Sequence, residues 1–237
     1  MINRKFGRIQ SPFDPRDYKL ASFIHRGVFG ASLIKERNWI FEAEALNQEQ
    51  TLHCVGFSIA DFGINYPVKT NYNNEDGHNF YYMCKEIEGE PLEENGTTIR
   101  CAAKTLKDLG RISGYAFAST IDDIKYWVLN KSPMIVGTLW TEEMNTPNEN
   151  NILNINGDVV GGHAYLINEW RDDGHIGIQN SWGDDWGING KAYISVSDFE
   201  KIFVHNGEAV TAVELEYDNI TDDISDNKGC LFSLFPR

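Results

Sequence analysis

Basic residues are scarce in this chain of 237 residues, which has 21 Lys and Arg against 35 Asp and Glu and a formal net charge of −14. Nucleic acids and anionic membranes bind proteins through clustered Lys and Arg, so we expect neither as a partner. A surface of this charge keeps a protein soluble, and its long-range field favours basic or neutral substrates.

Long apolar runs are lacking as well. Nowhere does the sequence hold the run of about 18 apolar residues that a transmembrane helix requires. The basic residues near the N-terminus are not followed by the apolar stretch of a secretory signal. The sequence therefore predicts no membrane-spanning segment and a mature chain that starts near Met1.

Cysteine is also infrequent. The four cysteines are too few and too scattered to stabilise a chain of this length by disulfide bonds, and no pair has CxxC spacing. This cysteine usage favours a reducing, cytoplasmic setting. No carboxylate or second cysteine lies at zinc-ligand spacing from a histidine, and the segment NNEDGH lacks the acidic residue that opens an EF-hand loop. We expect neither a metal nor a cofactor.

The two halves of the chain differ in their apolar periodicity. Before Pro133, helical spacing predicts helices that begin at Cys54, near Phe80, after Thr97 or Thr98, and after Thr120, with a polar loop over residues 71–78. After Pro133, short β-branched or aromatic segments alternate with turn residues, as in a twisted antiparallel sheet. Helices followed by strands predict an α+β chain of two lobes.

We divide the chain into three parts. Residues 1–46 are an N-terminal arm and lead-in, residues 47–217 are the main domain, and residues 218–237 are an acidic tail. Within the main domain the helical lobe spans about 47–130 and the β lobe about 131–217. The arm contains the run SPFDPRDY, whose two prolines predict an extended segment lying over the body.

Cys54 is the cysteine best placed for chemistry. Its predicted position in the first turn of a helix lowers the pKa of a thiol and so favours the nucleophilic thiolate. Free cysteine is among the most buried residue types, and the other three cysteines fit that structural role. Cys84 and Cys101 lie in helical apolar patterns, and Cys230 lies in the tail.

A thiolate needs a base, and His163 stands out among the six histidines. Gly161 and Gly162 precede it and the apolar strand AYLI follows, which places the imidazole where another backbone can approach closely. A lone histidine in such a place is more often structural than catalytic. His53 is adjacent to Cys54, but neighbours on a helix point about 100 degrees apart, so it is poorly placed to serve the thiol.

The most specific segment is QNSWGDDWGINGKAYI, in which Asn180 follows His163 by 17 residues. An asparagine carbonyl can accept the imidazole N–H and so fix the tautomer, and a tryptophan cover such as Trp182 would keep water off that bond. Trp182 and Trp186, both of which look exposed, and three nearby glycines would be an odd way to build a plain strand.

Three segments in order, NQEQTLHCVGFS, GGHAYLI and QNSWGDDWGINGKAYI, resemble the signature segments of the papain-like cysteine peptidases. The resemblance implies a two-lobed α+β fold, with a helical N-terminal lobe, an antiparallel β C-terminal lobe and the active site in the cleft between them. It also implies that Cys54 is the nucleophile, His163 the base, Asn180 the orienting amide and Trp182 its cover. Gln48 matches the glutamine that forms the oxyanion hole with the backbone N–H of the nucleophile, a type of donor whose loss costs about 3–4 kcal/mol.

The chain also departs from the family pattern. Usual members have Cys-Gly-Ser-Cys-Trp at the nucleophile, whereas this chain has the run from Thr51 to Val55 and so lacks both the partner cysteine and the tryptophan. The missing disulfide agrees with a reducing compartment. Fewer than 48 residues precede Gln48, which leaves no room for the long inhibitory pro-segment of secreted relatives. We therefore expect any latency to come from the short N-terminal arm.

Three functions follow from these residues. The leading one is a peptidase that hydrolyses peptide or protein substrates by acyl transfer through a thioester. The second keeps the same triad in an amidase, a transpeptidase or a cell-wall peptide hydrolase. The third is an inactive homologue that serves as a binding module, since fold and motif do not prove turnover. The residues leave bond specificity and oligomeric state open.

Overall fold

The computed structural model describes residues 4–24, 34–40 and 44–213. These residues form helices and an antiparallel sheet, which confirms the predicted α+β class. The helices are α1 (Cys54–Ile64), α2 (Asn74–Glu88), α3 (Ile99–Asp108), α4 (Ile121–Asn130) and α5 (Val196–Asn206). The strands are β1 (Arg8–Ile9), β2 (Arg37–Asn38), β3 (Thr97–Thr98), β4 (Gly114–Phe117), β5 (Met134–Thr141), β6 (Val159–Trp170), β7 (His175–Gln179), β8 (Lys191–Ser195) and β9 (Glu208–Val213).

Side-chain caps fix where the helices begin. Thr98 accepts a hydrogen bond from the Cys101 N–H at the start of α3, and Thr120 forms a reciprocal capping box with Asp123 at the start of α4, as predicted. The predicted loop over residues 71–78 is wrong from Asn74 onward. Asn73 makes a capping box with Asp76, so the polar residues there are the first turn of α2.

Several elements were not predicted, among them α5 and β4. Helix α5 follows β8 directly, capped by Ser195, and buries Phe199, Ile202 and Phe203 at helical spacing. Strand β4 is only four residues long and pairs with β9. Both were missed because no turn residues separate α5 from the strand before it and because so short a strand carries little periodicity.

The strands of the main sheet run in the order β4-β9-β5-β6-β7-β8, with β2 also paired to β6, and all of these pairings are antiparallel. Alternate residues of β5 face opposite sides. Ile135 packs in the core with helices α1, α2 and α3, while Met134 and Val136 pack in the core that contains α4 and α5. The sheet thus separates two hydrophobic cores, and the lobe boundary near residue 130 stays a prediction.

A buried polar cluster joins α1 to the sheet. The Gln179 side chain on β7 donates to Asp61 on α1 at 2.9 Å and accepts at 2.9 Å from Asn65, which directly follows α1. It also accepts from Asn168 on β6 at 2.9 Å. Since buried polar groups are costly unless paired, the cluster fixes how α1 sits on the strands that precede Asn180.

None of the helices in the described part of the chain has both the length and the apolarity needed to cross a membrane. Cys54, Cys84 and Cys101 are free and buried. Cys230, His25 and the predicted acidic tail from residue 218 lie outside the described residues.

We predict that Asp61→Asn changes the pH dependence of stability. Burial raises the pKa of Asp61 to about 7, whereas an unfolded Asp titrates near about 3.9. The stabilising contribution of Asp61 is therefore full below about pH 4 and is lost as the pH rises through 7. Relative to wild type, the variant should gain up to about 1.4 kcal/mol per pH unit between pH 4 and 7 in its free energy of unfolding.

Urea unfolding at a series of pH values measures this difference directly. Asn keeps the oxygen that accepts from Gln179, so the variant should lose little at low pH. Parallel stability curves for the two proteins across this range would contradict the prediction.

Candidate active site

Cys54 is the first residue of α1 and is fully buried. Burial raises the pKa of its thiol, while the nearby backbone of Ala164, Gly7 and Val55 opposes that rise. Ala164 follows His163 on β6, the strand against which α1 packs. The thiol is held in its neutral form as long as it stays covered.

His163 is held by the amide that the sequence analysis singled out. Its Nε2 lies 2.8 Å from the Oδ1 of Asn180, and no described atom hydrogen-bonds to its Nδ1. Because an amide oxygen only accepts, Nε2 carries the proton and Nδ1 is a free base. The Ser181 N–H donates to the same Oδ1 at 2.8 Å and keeps the amide in this orientation.

Aromatic rings enclose the imidazole. The ring centroid of Trp182 lies 4.7 Å from that of His163, and Trp140 contacts it edge-on at 4.9 Å. Trp182 and Trp186 are each 3% exposed, so the expectation that they are exposed is wrong; they pack against each other and against Trp140. Burial lowers the pKa of His163 to about 4, and the hydrogen bond that its Nε2 donates to the Asn180 carbonyl oxygen opposes the shift.

Gln48 is fully buried beside these residues. Its Oε1 accepts from the Ser181 hydroxyl at 2.8 Å, and its Nε2 donates to the Thr51 carbonyl at 2.8 Å and to the Lys5 carbonyl at 3.4 Å. Sequence reasoning missed Ser181, which links Gln48 to Asn180. Its signal was its position directly after Asn180 in the most specific segment.

The remaining candidates make their contacts with other parts of the structure. His53 stacks on Tyr81 of α2 with ring centroids 3.8 Å apart and contacts His78 and Glu94. Cys84 and Cys101 are buried among helices α2 and α3, and burial raises the pKa of each thiol. Among the described residues, no group of three or more His, Cys, Asp or Glu side chains could hold a metal ion.

The N-terminal arm covers the site. We call residues 4–9 the inner arm. Its Phe6 ring lies edge-on to His163 at 5.9 Å and to Trp182 at 6.1 Å, and its Arg4 guanidinium lies 4.2 Å from the centroid of Trp182. The Gly7 carbonyl accepts from the Thr97 N–H at 2.9 Å, which begins the parallel pairing of β1 with β3.

Glycines allow this close fit. A Cβ on Gly7 would lie 1.8 Å from the Leu52 carbonyl oxygen, and a Cβ on Gly162 would lie 2.2 Å from the Arg8 carbonyl oxygen. No side chain fits at such distances. The glycine pair before His163 was predicted to admit another backbone, and in this structure the inner arm is that backbone.

Solved structures with similar folds are cysteine proteases. Xylellain from Xylella fastidiosa superposes with a TM-score of 0.68 at 18% identity, over 90% of this chain and 99% of that one. This is the papain-like fold. A procathepsin L 3 from Tenebrio molitor matches this papain-like chain with a TM-score of 0.55 at 15% identity, over 90% of this chain and 77% of that one.

The proform of Amb a 11, a cysteine protease and ragweed pollen allergen, matches the papain-like fold with a TM-score of 0.59 at 11% identity, over 84% of this chain and 70% of that one. No family model matches the chain, and no curated protein matches it by sequence. Likeness at these identities shows the fold alone.

We predict that Gly7→Leu displaces the inner arm and uncovers Cys54. The new side chain would collide with the Leu52 carbonyl, and overpacking of this kind costs about 1–3 kcal/mol. The rate at which iodoacetamide alkylates Cys54 should therefore rise roughly tenfold. Phe13→Ala, at an arm position that is 90% exposed, is the matched control and should leave the rate unchanged. Equal rates in Gly7→Leu and wild type would contradict the prediction.

We also predict that acid opens the inner arm. In the closed state the pKa of His163 is about 4 because the ring is buried, whereas a solvated imidazole titrates near about 6.5. At pH values between these two pKa values, the His163 imidazole takes up a proton only in the open state, in which the inner arm is displaced. Each fall of one pH unit in this range therefore favours opening by up to about tenfold. Arg4, which faces the ring, stays charged throughout and does not contribute a pH dependence.

Hydrogen exchange of residues 4–9, corrected for the intrinsic effect of pH, measures this opening. Protection should fall between pH 6.5 and pH 4 in wild type. In His163→Gln, whose side chain does not titrate, protection should be independent of pH, and a similar fall there would assign the effect to another group.

Proposed function

We propose that the chain is a cysteine peptidase that hydrolyses peptide bonds through Cys54, His163 and Asn180, with Gln48 completing the oxyanion hole. The substrates are peptides or proteins. The reaction needs no cofactor or metal, since a thiolate, a base and hydrogen-bond donors suffice for acyl transfer.

The hydrogen bond from His163 to Asn180 is the observation that carries the proposal. At 2.8 Å and fully buried under Trp182, it leaves Nδ1 as the free nitrogen of the imidazole. Nδ1 is the atom that must accept the thiol proton. A purely structural histidine would instead use both ring nitrogens, because buried polar atoms are rarely left without a partner.

The proposed reaction runs in two steps. The Cys54 thiol gives its proton to His163 Nδ1, and the sulfur attacks the carbonyl carbon of the substrate. The oxyanion accepts hydrogen bonds from Gln48 Nε2 and from the Cys54 N–H, which as the first N–H of α1 has no partner within the helix. The imidazolium then protonates the leaving amine, and water hydrolyses the thioester with His163 as base.

We propose further that the inner arm keeps the peptidase latent. It places the Gly7 backbone near the sulfur, where the carbonyl carbon of a substrate would lie, and it gives Gln48 Nε2 the Lys5 carbonyl in place of an oxyanion. Both reactive groups are therefore covered by partners that cannot react. The proposal therefore explains how the inner arm can lie across Cys54 without being cleaved.

The same occlusion favours a second candidate, an inactive binding module. A thiol with a raised pKa and a histidine with a pKa of about 4 are both neutral at pH 7, so the covered pair is not an ion pair. If the arm never leaves, no turnover follows. The two candidates differ in what happens when the arm is displaced.

A thiol-reactive peptidyl epoxide tests the proposal on the reduced, full-length protein near pH 6. We expect the probe to label Cys54 in Gly7→Leu at least about tenfold faster than in wild type. Labelling should be lost in Gly7→Leu combined with Cys54→Ala, and slowed by about 100-fold or more with His163→Ala, because the thiol then lacks its base. Mass spectrometry maps the adduct, with Cys101 as the internal reference thiol.

A peptide library incubated with Gly7→Leu then separates peptidase from module. New amine termini that disappear with Cys54→Ala identify hydrolysis, and products in which the new acyl group is joined to another amine identify a transpeptidase. If Cys54 is labelled no faster than Cys101 and no peptide is cleaved, the peptidase proposal is contradicted and the binding module is favoured.

A further inference from the structure

His53 lies in the short segment that joins the two proposed oxyanion donors. That segment runs from Gln48 to Cys54, and of the residues between these two His53 alone is buried. Its carbonyl accepts from the Phe57 N–H at 3.1 Å, the hydrogen bond that closes the first turn of α1. The buried His53 side chain is therefore well placed to hold the start of α1 against the rest of the protein.

Both ring nitrogens of His53 are engaged. Nε2 lies 3.1 Å from Oε2 of Glu94, and Nδ1 lies 2.7 Å from Nδ1 of His78 on α2. Because a carboxylate only accepts, Nε2 of the neutral ring carries the proton, and Nδ1 accepts from the protonated Nδ1 of His78. The ring also stacks on Tyr81 with centroids 3.8 Å apart. The imidazole is thus fixed in position, orientation and tautomer.

Glu94 is itself held by α2. Its Oε1 accepts from the Tyr82 hydroxyl at 3.2 Å, and the carbonyl of its neighbour Glu93 accepts from the Tyr81 hydroxyl at 3.2 Å. The bond from His53 therefore ties the start of α1 to a carboxylate that is fixed in turn by a second helix.

The usual means of holding a helix start is not used at α1. An N-cap side chain normally lies over the end of the helix and accepts from its second or third N–H. His53 is the N-cap residue, and among the described atoms its side chain makes no such bond. In the proposed reaction the substrate carbonyl must reach this end of the helix, where the Cys54 N–H donates to the oxyanion. Anchoring the N-cap residue from α2 and Glu94 leaves that end free.

No disulfide can take over this task. Between Gln48 and Cys54 the sequence has no other cysteine, so non-covalent bonds must hold the segment. The position of α1 matters because an oxyanion needs its donors at about 2.7–3.1 Å, and a misplacement of about 1 Å can slow a reaction by about 100-fold.

We propose that His53 is a positioning residue of the candidate active site, and that its hydrogen bonds to Glu94 and His78 keep the Cys54 N–H aimed at the oxyanion. The inference rests on the proposed function and names a further residue on which that site depends. Both nitrogens of His53 are occupied, so it acts through Cys54 and is not a second base.

The first experiment measures the anchoring without turnover, on the full chain. His53→Phe keeps a ring that can stack on Tyr81 and removes both hydrogen bonds. The amide hydrogen of Phe57 reports on the first turn of α1, and that of Asn65, which donates to the Asp61 carbonyl, reports on its far end. We expect exchange at Phe57 to become about tenfold faster or more, with less than about a twofold change at Asn65.

His175→Phe is the matched control. It removes another histidine–carboxylate pair of the same length, the one with Asp173 at 3.1 Å, from the start of β7. Exchange at Phe57 should be the same in this variant as in wild type.

The second experiment measures turnover of a library peptide with the inner arm displaced by Gly7→Leu. Adding His53→Phe should lower kcat about tenfold or more and change KM by less than about twofold, because the oxyanion donor acts in the transition state. His53→Gln, whose Nε2 can still donate to Glu94, should recover most of the lost kcat. A general loss of structure would not be rescued in this way.

Glu94→Ala tests the same bond from its other end. The Glu94 side chain is 58% exposed, so the variant should fold even if His53→Phe does not. It should lower kcat by a similar factor, and combining it with His53→Phe should lower kcat no further than His53→Phe alone, because both changes break one interaction.

Unchanged exchange at Phe57 in His53→Phe, or a kcat equal to that of Gly7→Leu alone, would overturn the inference. So would a loss of kcat that His53→Gln does not recover, or additive losses in the double variant. Faster exchange at Phe57 in a chain whose Gly7→Leu variant cleaves no peptide would instead uphold the anchor and refute the peptidase.

Discussion

The site depends on a short seam of hydrogen bonds between two segments that are far apart in sequence. The Gln48 N–H donates to the Ser181 carbonyl at 2.8 Å, and the Gly183 N–H donates to the Leu46 carbonyl at 2.9 Å. The Ser181 hydroxyl adds a side-chain bond to Gln48. This seam fixes the lead-in to α1 against the segment that carries Asn180. The seam thereby sets the position of the start of α1 relative to the amide that orients His163.

The buried polar cluster around Gln179 also fixes α1 relative to the segment that carries Asn180. Asp61 lies two helical turns from Cys54 on α1, and Gln179 directly precedes Asn180, so their hydrogen bond joins the two elements that carry these candidate catalytic residues. The cluster leaves one oxygen of Asp61 without a described partner. A protonated carboxyl tolerates that position better than a carboxylate, which agrees with a pKa near 7.

Sequence reasoning reached the helix N-termini at Thr98 and Thr120, the strands after Pro133, and the neighbourhood of His163 and Asn180, because each has a local chemical signal. It missed the beginning of α2, since the polar residues of a capping box look like those of a loop. It did not find the bond between His53 and Glu94 or the contacts of Phe6, because contacts between segments that are distant in sequence depend on tertiary packing. Val55, which stands where usual members of the family have a tryptophan, is fully buried in the core that contains α1.

The inner arm is covalently attached to the site it covers. Beyond residue 9 the chain stays anchored, since Asp17 pairs with Arg100 and Lys19 bridges to Phe117. A tethered segment of this length returns at an effective concentration of about a millimolar. Diluting the protein therefore does not uncover its cleft, and a free peptide of equal affinity displaces the arm only when it approaches that concentration. For the proposed peptidase, this tether would set a substrate concentration below which the inner arm stays in place.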